Sequence, residues 1–502
     1  MTSGTGGHET AAESNLLPSI CRAPKSNQFA ISANVVLALA VVVGVTVARA
    51  TVGVCAEPAA GERDVSAGGA QQEETSIWKR ETLTGDWGGM RNALSDRGAA
   101  FTFNYIGEVL GNVRGGERRL ATYDGRFEMS LDLDLEKMAG WQGATIHATG
   151  YQIHGRGLSA NALGNLLAAS GIEARRGTRL FTLWFEQNLF DKNVAFRVGQ
   201  LAADDEFAVS AVGAVFVNGT FGWPTILAAN LPSGGPAYPL AAPGLRVRVR
   251  ANETFSLQAA IFSGDPAGTG AEPDPQRRNP SGTTFSFSGG VLVMAEAAIS
   301  NAAAGWLTDL PGTIKAGFWY HSGGFDDLRF DNGGLSRADP ASTGVARRHR
   351  GNYGGYLVVD QTIWRVPGSK ERELNAFVRF GANPDDRNLI GWYVDAGLAF
   401  KGPFAGRAED TIGVAFGFAR IGDGARGLDR DTARFTATDT PTRDYEAVFE
   451  ITYQAQITPW WTIQPDLQFI LHPGGTVVNP RSPSGSISRD AIVLGLRTVL
   501  KF

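Results

Sequence analysis

The sequence predicts an all-β protein: a transmembrane antiparallel β-barrel of sixteen strands, with long extracellular loops, one of them folded into the pore, and short periplasmic turns. Three observations lead there. Apolar residues recur at every second position from about residue 101 onward. The connections between the strands so defined alternate between long and short. The chain closes on an amphipathic strand whose last residue is Phe502. The composition agrees. Of 502 residues 64 are glycine, 28 phenylalanine and 11 tryptophan, and 43% are hydrophobic, too apolar for a disordered chain. Two cysteines exclude a disulfide scaffold. A net charge of −4 leaves no basic footprint for nucleic acid. A mean hydropathy of −0.11 excludes a helical membrane protein, but it is what an apolar outer face and a polar inner face average to.

The N-terminal region reads as export machinery. The run VVLALAVVVGVTV at 35–47 is too short for a span of about 20 residues and follows Arg22 and Lys25. Ala48-Arg49-Ala50 and Val54-Cys55-Ala56 offer cleavage sites, so residues 1–56 form a signal peptide. Cys21 and Cys55 both lie within it, which leaves the mature chain without thiol chemistry. Residues 57–100 form a periplasmic N-terminal segment with a short helix inside 83–98. The barrel occupies 101–502.

Strands are expected near 101–110, 126–136, 144–153, 180–189, 194–200, 244–251, 254–262 and 285–299. Eight more follow near 312–321, 352–362, 373–382, 389–400, 410–421, 443–456, 460–471 and 490–502. In FEMSLDLDL (127–135) Phe127, Met129, Leu131 and Leu133 oppose Glu128, Ser130, Asp132 and Asp134. In LRVRVR (245–250) Leu245, Val247 and Val249 oppose three arginines. A soluble sandwich shows the same alternation. The odd connections, 111–125, 154–179, 201–243, 263–284, 322–351, 422–442 and 472–489, are long, with 383–388 the exception. The even ones are short. That asymmetry marks an outer-membrane barrel with both termini at the short-turn end. Trp141, Trp306, Trp364, Trp460, Phe190 and Phe404 sit in or beside short connections and would form an aromatic girdle.

Five segments carry a family resemblance: LTGDWGGMRNALSDRG (83–98), FVNGTFGWP (216–224), GGPAYPLAAPGLRVRVR (234–250), VDAGLAFKGPFAGRAEDTIGVAF (394–416) and ITPWWTIQPDLQFILHPGG (457–475). From about residue 81 to 502 the chain resembles the carbohydrate-selective porins of the OprB family. The resemblance implies a sixteen-stranded barrel in the outer membrane of a Gram-negative bacterium, passing monosaccharides such as glucose by facilitated diffusion. It implies small sugars and outer-membrane lipid as partners, no cofactor, and either a monomer or a trimer. The terminal strand ending at Phe502 resembles the signal read by the outer-membrane assembly machinery.

A sixteen-stranded lumen is too wide to select without a constriction, and the connection 201–243 is long enough to supply one. Sugar selection needs hydrogen-bonding groups for hydroxyls, aromatic surface for the C–H face, and weak binding. By parity Arg246, Arg248 and Arg250 face the lumen, as do Arg197, Trp184, Glu186, Glu128 and Asp132, with Phe181, Leu183 and Phe185 on the lipid face. Trp223 and Phe221 are loop candidates for stacking, and Asp204-Asp205-Glu206 would tie the loop to wall arginines. The alternative is a general or anion-selective porin, in which the arginines form a ladder; a strong anion preference in reversal potentials would favour it. The histidines (His8, His147, His154, His321, His349, His472) stand in no HExxH motif, and no GxSxG occurs, so no enzyme and no metal site are expected.

Overall fold

A computed structural model describes residues 76–301 and 309–502. The signal peptide, residues 57–75 and Trp306 lie outside the described residues. The strands are β1 (Ala99–Gly116), β2 (Leu120–Asp134), β3 (Ala144–Gly155), β4 (Gly177–Leu189), β5 (Val194–Leu201), β6 (Ala242–Arg250), β7 (Phe255–Ser263) and β8 (Val291–Asn301). They continue as β9 (Gly312–Asp331), β10 (Ala346–Arg365), β11 (Glu373–Ala382), β12 (Ile390–Lys401), β13 (Thr411–Ile421), β14 (Tyr445–Thr458), β15 (Trp461–Leu471) and β16 (Arg489–Lys501). Each strand pairs with its sequence neighbours, and β1 pairs antiparallel with β16, closing a barrel. No helix among the described residues is long and apolar enough to cross a membrane.

The alternation works as its physics requires. Val198, Phe318, Leu357, Val378, Phe416, Ile451, Leu494 and Leu496 point outward and stay exposed, while Glu108, Arg379, Asp395 and Gln468 point inward and are buried. One strand departs from simple parity. A register irregularity between β3 and β4 follows Thr149, so Phe181 and Thr182 are both buried. Phe181 therefore leaves the expected lipid face and packs inside against Tyr151 and Tyr238. A bulge resets the two-residue rhythm, which periodicity alone does not foresee.

The first connection is also corrected. It is the short link 117–119, because β1 and β2 stay paired out to Asn112 and Leu120. Gly115, at φ +71°, permits this: a Cβ there would lie 1.8 Å from the Asp490 carbonyl oxygen. β8 begins at Val291 rather than 285. β2 ends at Asp134, whose carboxylate caps the helix Leu135–Ala139 by accepting from the Glu136 and Lys137 amides. That carboxylate is thus occupied at the strand end.

Of the expected girdle, Trp141, Trp364, Phe190 and Phe404 are exposed beside short turns. Trp460 is buried instead, and its indole N–H donates to the Ile77 carbonyl at 2.7 Å. That bond belongs to a seam. The Leu83 amide donates to the Lys501 carbonyl at 2.8 Å. Arg91, on the helix Met90–Asp96, donates to the Phe502 carbonyl at 2.7 Å. The Phe502 amide donates to the Phe103 carbonyl at 2.9 Å.

A closed hydrogen-bonded barrel should migrate as a compact band in detergent before boiling and more slowly afterward. Arg91→Ala should lower the conversion midpoint by a few degrees, in keeping with about 1.5 kcal/mol for a charged hydrogen bond. Gel mobility against temperature measures both.

Candidate functional site

The connection 202–241 does not stay at the rim. Its backbone is held by side chains from the wall between β8 and β14. The Ala208 amide donates to Glu296 at 3.0 Å, and Lys315 donates to the Val209 carbonyl at 2.7 Å. Ser210 bonds Asp360. The amides of Val217 and Asn218 donate to Glu450 at 2.7 and 2.9 Å. Arg379 donates to the carbonyls of Ala208, Thr220, Phe221 and Gly222, at 3.0, 2.7, 2.9 and 2.8 Å, while its own charge is held by Asp395. Apolar packing of Phe216 and Phe221 against Phe377 completes the anchorage.

A second loop braces the first. Glu446 accepts from the Leu166 and Leu167 amides, and the Gly219 amide donates to the Ala168 carbonyl at 2.8 Å. Between these loops and the wall of β1, β2 and β16 lies a cavity of about 370 Å³, lined by Arg126, Arg497, Asp204, Glu173, Trp223 and Tyr238 among others. The Arg126 guanidinium lies over the rings of Tyr151 and Tyr238, 4.7 and 5.2 Å from their centroids. Arg497 pairs with Glu108 at 2.5 Å. The Trp223 indole N–H donates to the Gly234 carbonyl at 3.0 Å. A mouth cavity of about 500 Å³ at the long-loop end is lined by Arg156, Arg175, Arg176 and Asp274, and Glu173 borders both cavities. Planar cationic donors, carboxyl groups and aromatic faces converge on one space, which is the chemistry a polyhydroxylated solute needs.

The residues singled out from the sequence fall into distinct places. Arg246 and Arg197 do meet, but in a closed network. Glu186 accepts from both at 2.8 Å, and Glu206 of the loop lies 2.6 Å from Arg197 and 2.7 Å from Arg246. Arg246 is 1% exposed and holds the start of the loop to the wall. Arg248 is half-buried, and Arg250 is exposed at the short-turn end of β6. Trp184 is sandwiched between His147, ring centroids 4.7 Å apart, and Arg197 at 3.7 Å, so neither ring face is open. Glu128 pairs with Arg126 at 3.3 Å, and Asp132 lies 2.6 Å from His147. Trp223 lines the cavity. Phe221 is fully buried in the anchorage, which corrects its expected role as a stacking surface: its ring fills the apolar gap between loop and wall. Arg126 and Arg497 were overlooked although parity points them inward, Arg126 sharing its face with Glu128. Nothing local in the sequence marks Tyr238 or Glu173.

Comparison with known proteins follows the same line. The family model described as carbohydrate-selective porin, OprB family, matches residues 118–502. Porin B of Pseudomonas aeruginosa is 26% identical over 419 residues, covering 78% of this chain and 87% of that one. The putative porin QuiX of Acinetobacter baylyi is 24% identical over 425 residues, covering 79% and 89%. The high-pH structure of Pseudomonas putida OprB superposes with a TM-score of 0.75 at 25% identity, over 84% of this chain and 99% of that one.

Two outcomes are expected of the anchorage. Arg379→Met strands four carbonyls and the Asp395 charge, a loss of about 3–5 kcal/mol; the barrel should remain heat-modifiable while planar-bilayer recordings show larger and noisier conductance. The second concerns pH. Burial first, and neighbouring acids second, push the loop carboxyls of Asp204 and Asp205 up, to about 8 and about 6. The folded loop therefore holds these protons more tightly than an unfolded chain would. Its stabilisation is full below the ordinary carboxylate value near ~4 and falls as pH rises through those two values. Channel noise should increase over that window, and Asp204→Asn should flatten the upper part of the profile.

Proposed function

The chain belongs to the carbohydrate-selective porins of the OprB family, and we propose that the cavity beside the 202–241 loop is where it selects its substrate. It is a channel of the Gram-negative outer membrane that passes sugars, and it performs no catalytic step. The observation that carries the assignment of the site is the convergence of Arg126, Arg497, Asp204, Glu173, Tyr238 and Trp223 on one cavity.

The guanidiniums of Arg126 and Arg497 donate to hydroxyls, the carboxyls of Asp204 and Glu173 accept from them, and Tyr238 and Trp223 offer surface to the C–H face. Small monosaccharides such as glucose suit this space, moving down their concentration gradient. The Glu186–Arg197–Arg246–Glu206 network acts one step removed, by fixing where the loop begins. Arg248 and Asp132 serve as the polar lumen wall. Pairing of arginine with carboxylate along the wall supports a pore for uncharged solutes over an anion ladder. Residues 1–56 direct export, and the strand ending at Phe502 engages the assembly machinery on the way to the membrane.

Liposome swelling with a panel of sugars tests the whole reading. Monosaccharides should enter fastest. Arg126→Ala together with Arg497→Ala should change sugar-dependent current block several-fold, while Arg250→Ala should leave it unaltered. Equal permeation of sugars and of size-matched anions would remove the selectivity assigned to this cavity.

A further inference from the structure

The mouth cavity of about 500 Å³ lies between the connections 156–176 and 264–290, at the end where β3 stops and β4 starts. Its size is that of a small-molecule pocket. Its walls are set in advance. Glu173 accepts from the Leu158 and Ser159 amides at 2.9 and 3.1 Å, which holds the 156–176 connection in its fold. The Arg175 amide donates to Gln276 Oε1 at 2.7 Å, and the Arg175 guanidinium pairs with Asp274 at 2.9 Å. Those two bonds tie one connection to the other.

Charge in this cavity is uneven. Arg156, Arg175 and Arg176 stand against two acids, Glu173 and Asp274. Both acids are committed, Glu173 to amides and Asp274 to Arg175. Just outside the lining, Arg277 and Glu272 offset each other at 3.9 Å. Arg156 and Arg176 are exposed, and among the described residues neither pairs with an acid. A fourth cation lies behind them. Arg179, on β4, is 2% exposed and donates from Nη2 to the Arg175 carbonyl at 3.2 Å. Its Nε and Nη1 hydrogens have no partner, and no acid pairs with it. A buried cation without a counter-charge is costly, and a negative solute in the adjoining cavity supplies that charge.

We propose that the mouth cavity is a landing site for acidic sugars, six-carbon rings carrying a carboxylate, which the channel admits besides neutral ones. The flat fork of a guanidinium matches the edge of a carboxylate, and Arg156 and Arg176 are the two forks left open. Gln276 uses only its oxygen on the wall, so its amide hydrogens serve a ring hydroxyl. Three lining cations against two acids leave one unit of excess, which suits a single carboxylate better than a doubly charged phosphate. A cationic rim also gathers such a solute before it binds. Glu173 borders the inner cavity as well, where arginines are already paired and the hydroxyls of either kind of sugar find partners. Burial pushes the Glu173 carboxyl up to about 7, which weakens its repulsion of an acid at the point of passage. The proposal rests on the chain being a sugar channel, and not on the inner cavity being its selector.

Planar-bilayer recordings of the wild-type protein and of a combined Arg156→Gln, Arg176→Gln variant test it, with D-glucuronate, D-glucose and sulfate as probes. Both side chains are exposed, so the variant should keep its heat-modifiable band. The half-blocking concentration of glucuronate should rise about five- to tenfold in the variant, while that of glucose stays as it was. Sulfate, which has charge but no ring, should block either protein weakly. An unchanged glucuronate block, a glucose block weakened in the same proportion, or a sulfate block equal to that of glucuronate in strength and in its loss would each overturn the proposal. Absence of glucose block in the wild-type protein would instead count against the inner cavity, and the glucuronate comparison would still decide the mouth.

Discussion

Inside a wide barrel, a loop has no neighbouring strand to pair with, yet its amides and carbonyls leave bulk water. They must find partners elsewhere. Here the barrel wall supplies them from long side chains, and sign follows need. Acids receive amides: Glu296, Glu446 and Glu450. Cations serve carbonyls: Lys315 and, four times over, Arg379. Glutamines fill in, as Gln464 does for Val215 and Gln468 for Ala169. The position of the constriction depends on this exchange, and so does the shape of the cavity beside it.

The same exchange decides which charges remain for a solute. Arg197, Arg246 and Arg379 are tied up in pairs with acids. Arg126 and Arg497 also have acidic partners but keep a side toward the cavity. On the proposed path a passing molecule would meet donors already balanced by acceptors. That favours shallow, multiple hydrogen bonds over one deep ionic well, and transport needs a ligand able to leave.

The strands were largely legible because the barrel's two environments impose a rhythm of two on each of them. The contrast of long and short connections follows the strands only in part, since 117–119 and 383–389 are both short. Phe181 was misread because a bulge resets phase without altering composition. The link at 117–119 was misplaced because β1 and β2 outrun the apolar pattern that revealed them. The site was less legible still. Arg126 and Arg497 obey parity and were within reach. The roles of Arg379, Glu450 and Tyr238 arise from contacts between segments far apart in sequence, and such contacts leave no local trace. Phe221 illustrates the ambiguity: an aromatic in an infolded loop can serve ligand or scaffold, and here it fills the scaffold.

The seam has a kinetic side. β1 and β16 lie at opposite ends of the barrel sequence, so their pairing is the longest-range closure the chain makes, and closures of that kind are slow. Until it happens, the amide and carbonyl of Phe502 are free. Once it happens, Phe103 holds one and Arg91 the other. A contact made through the Phe502 amide is therefore confined to the open barrel, because closure itself pairs that amide with Phe103.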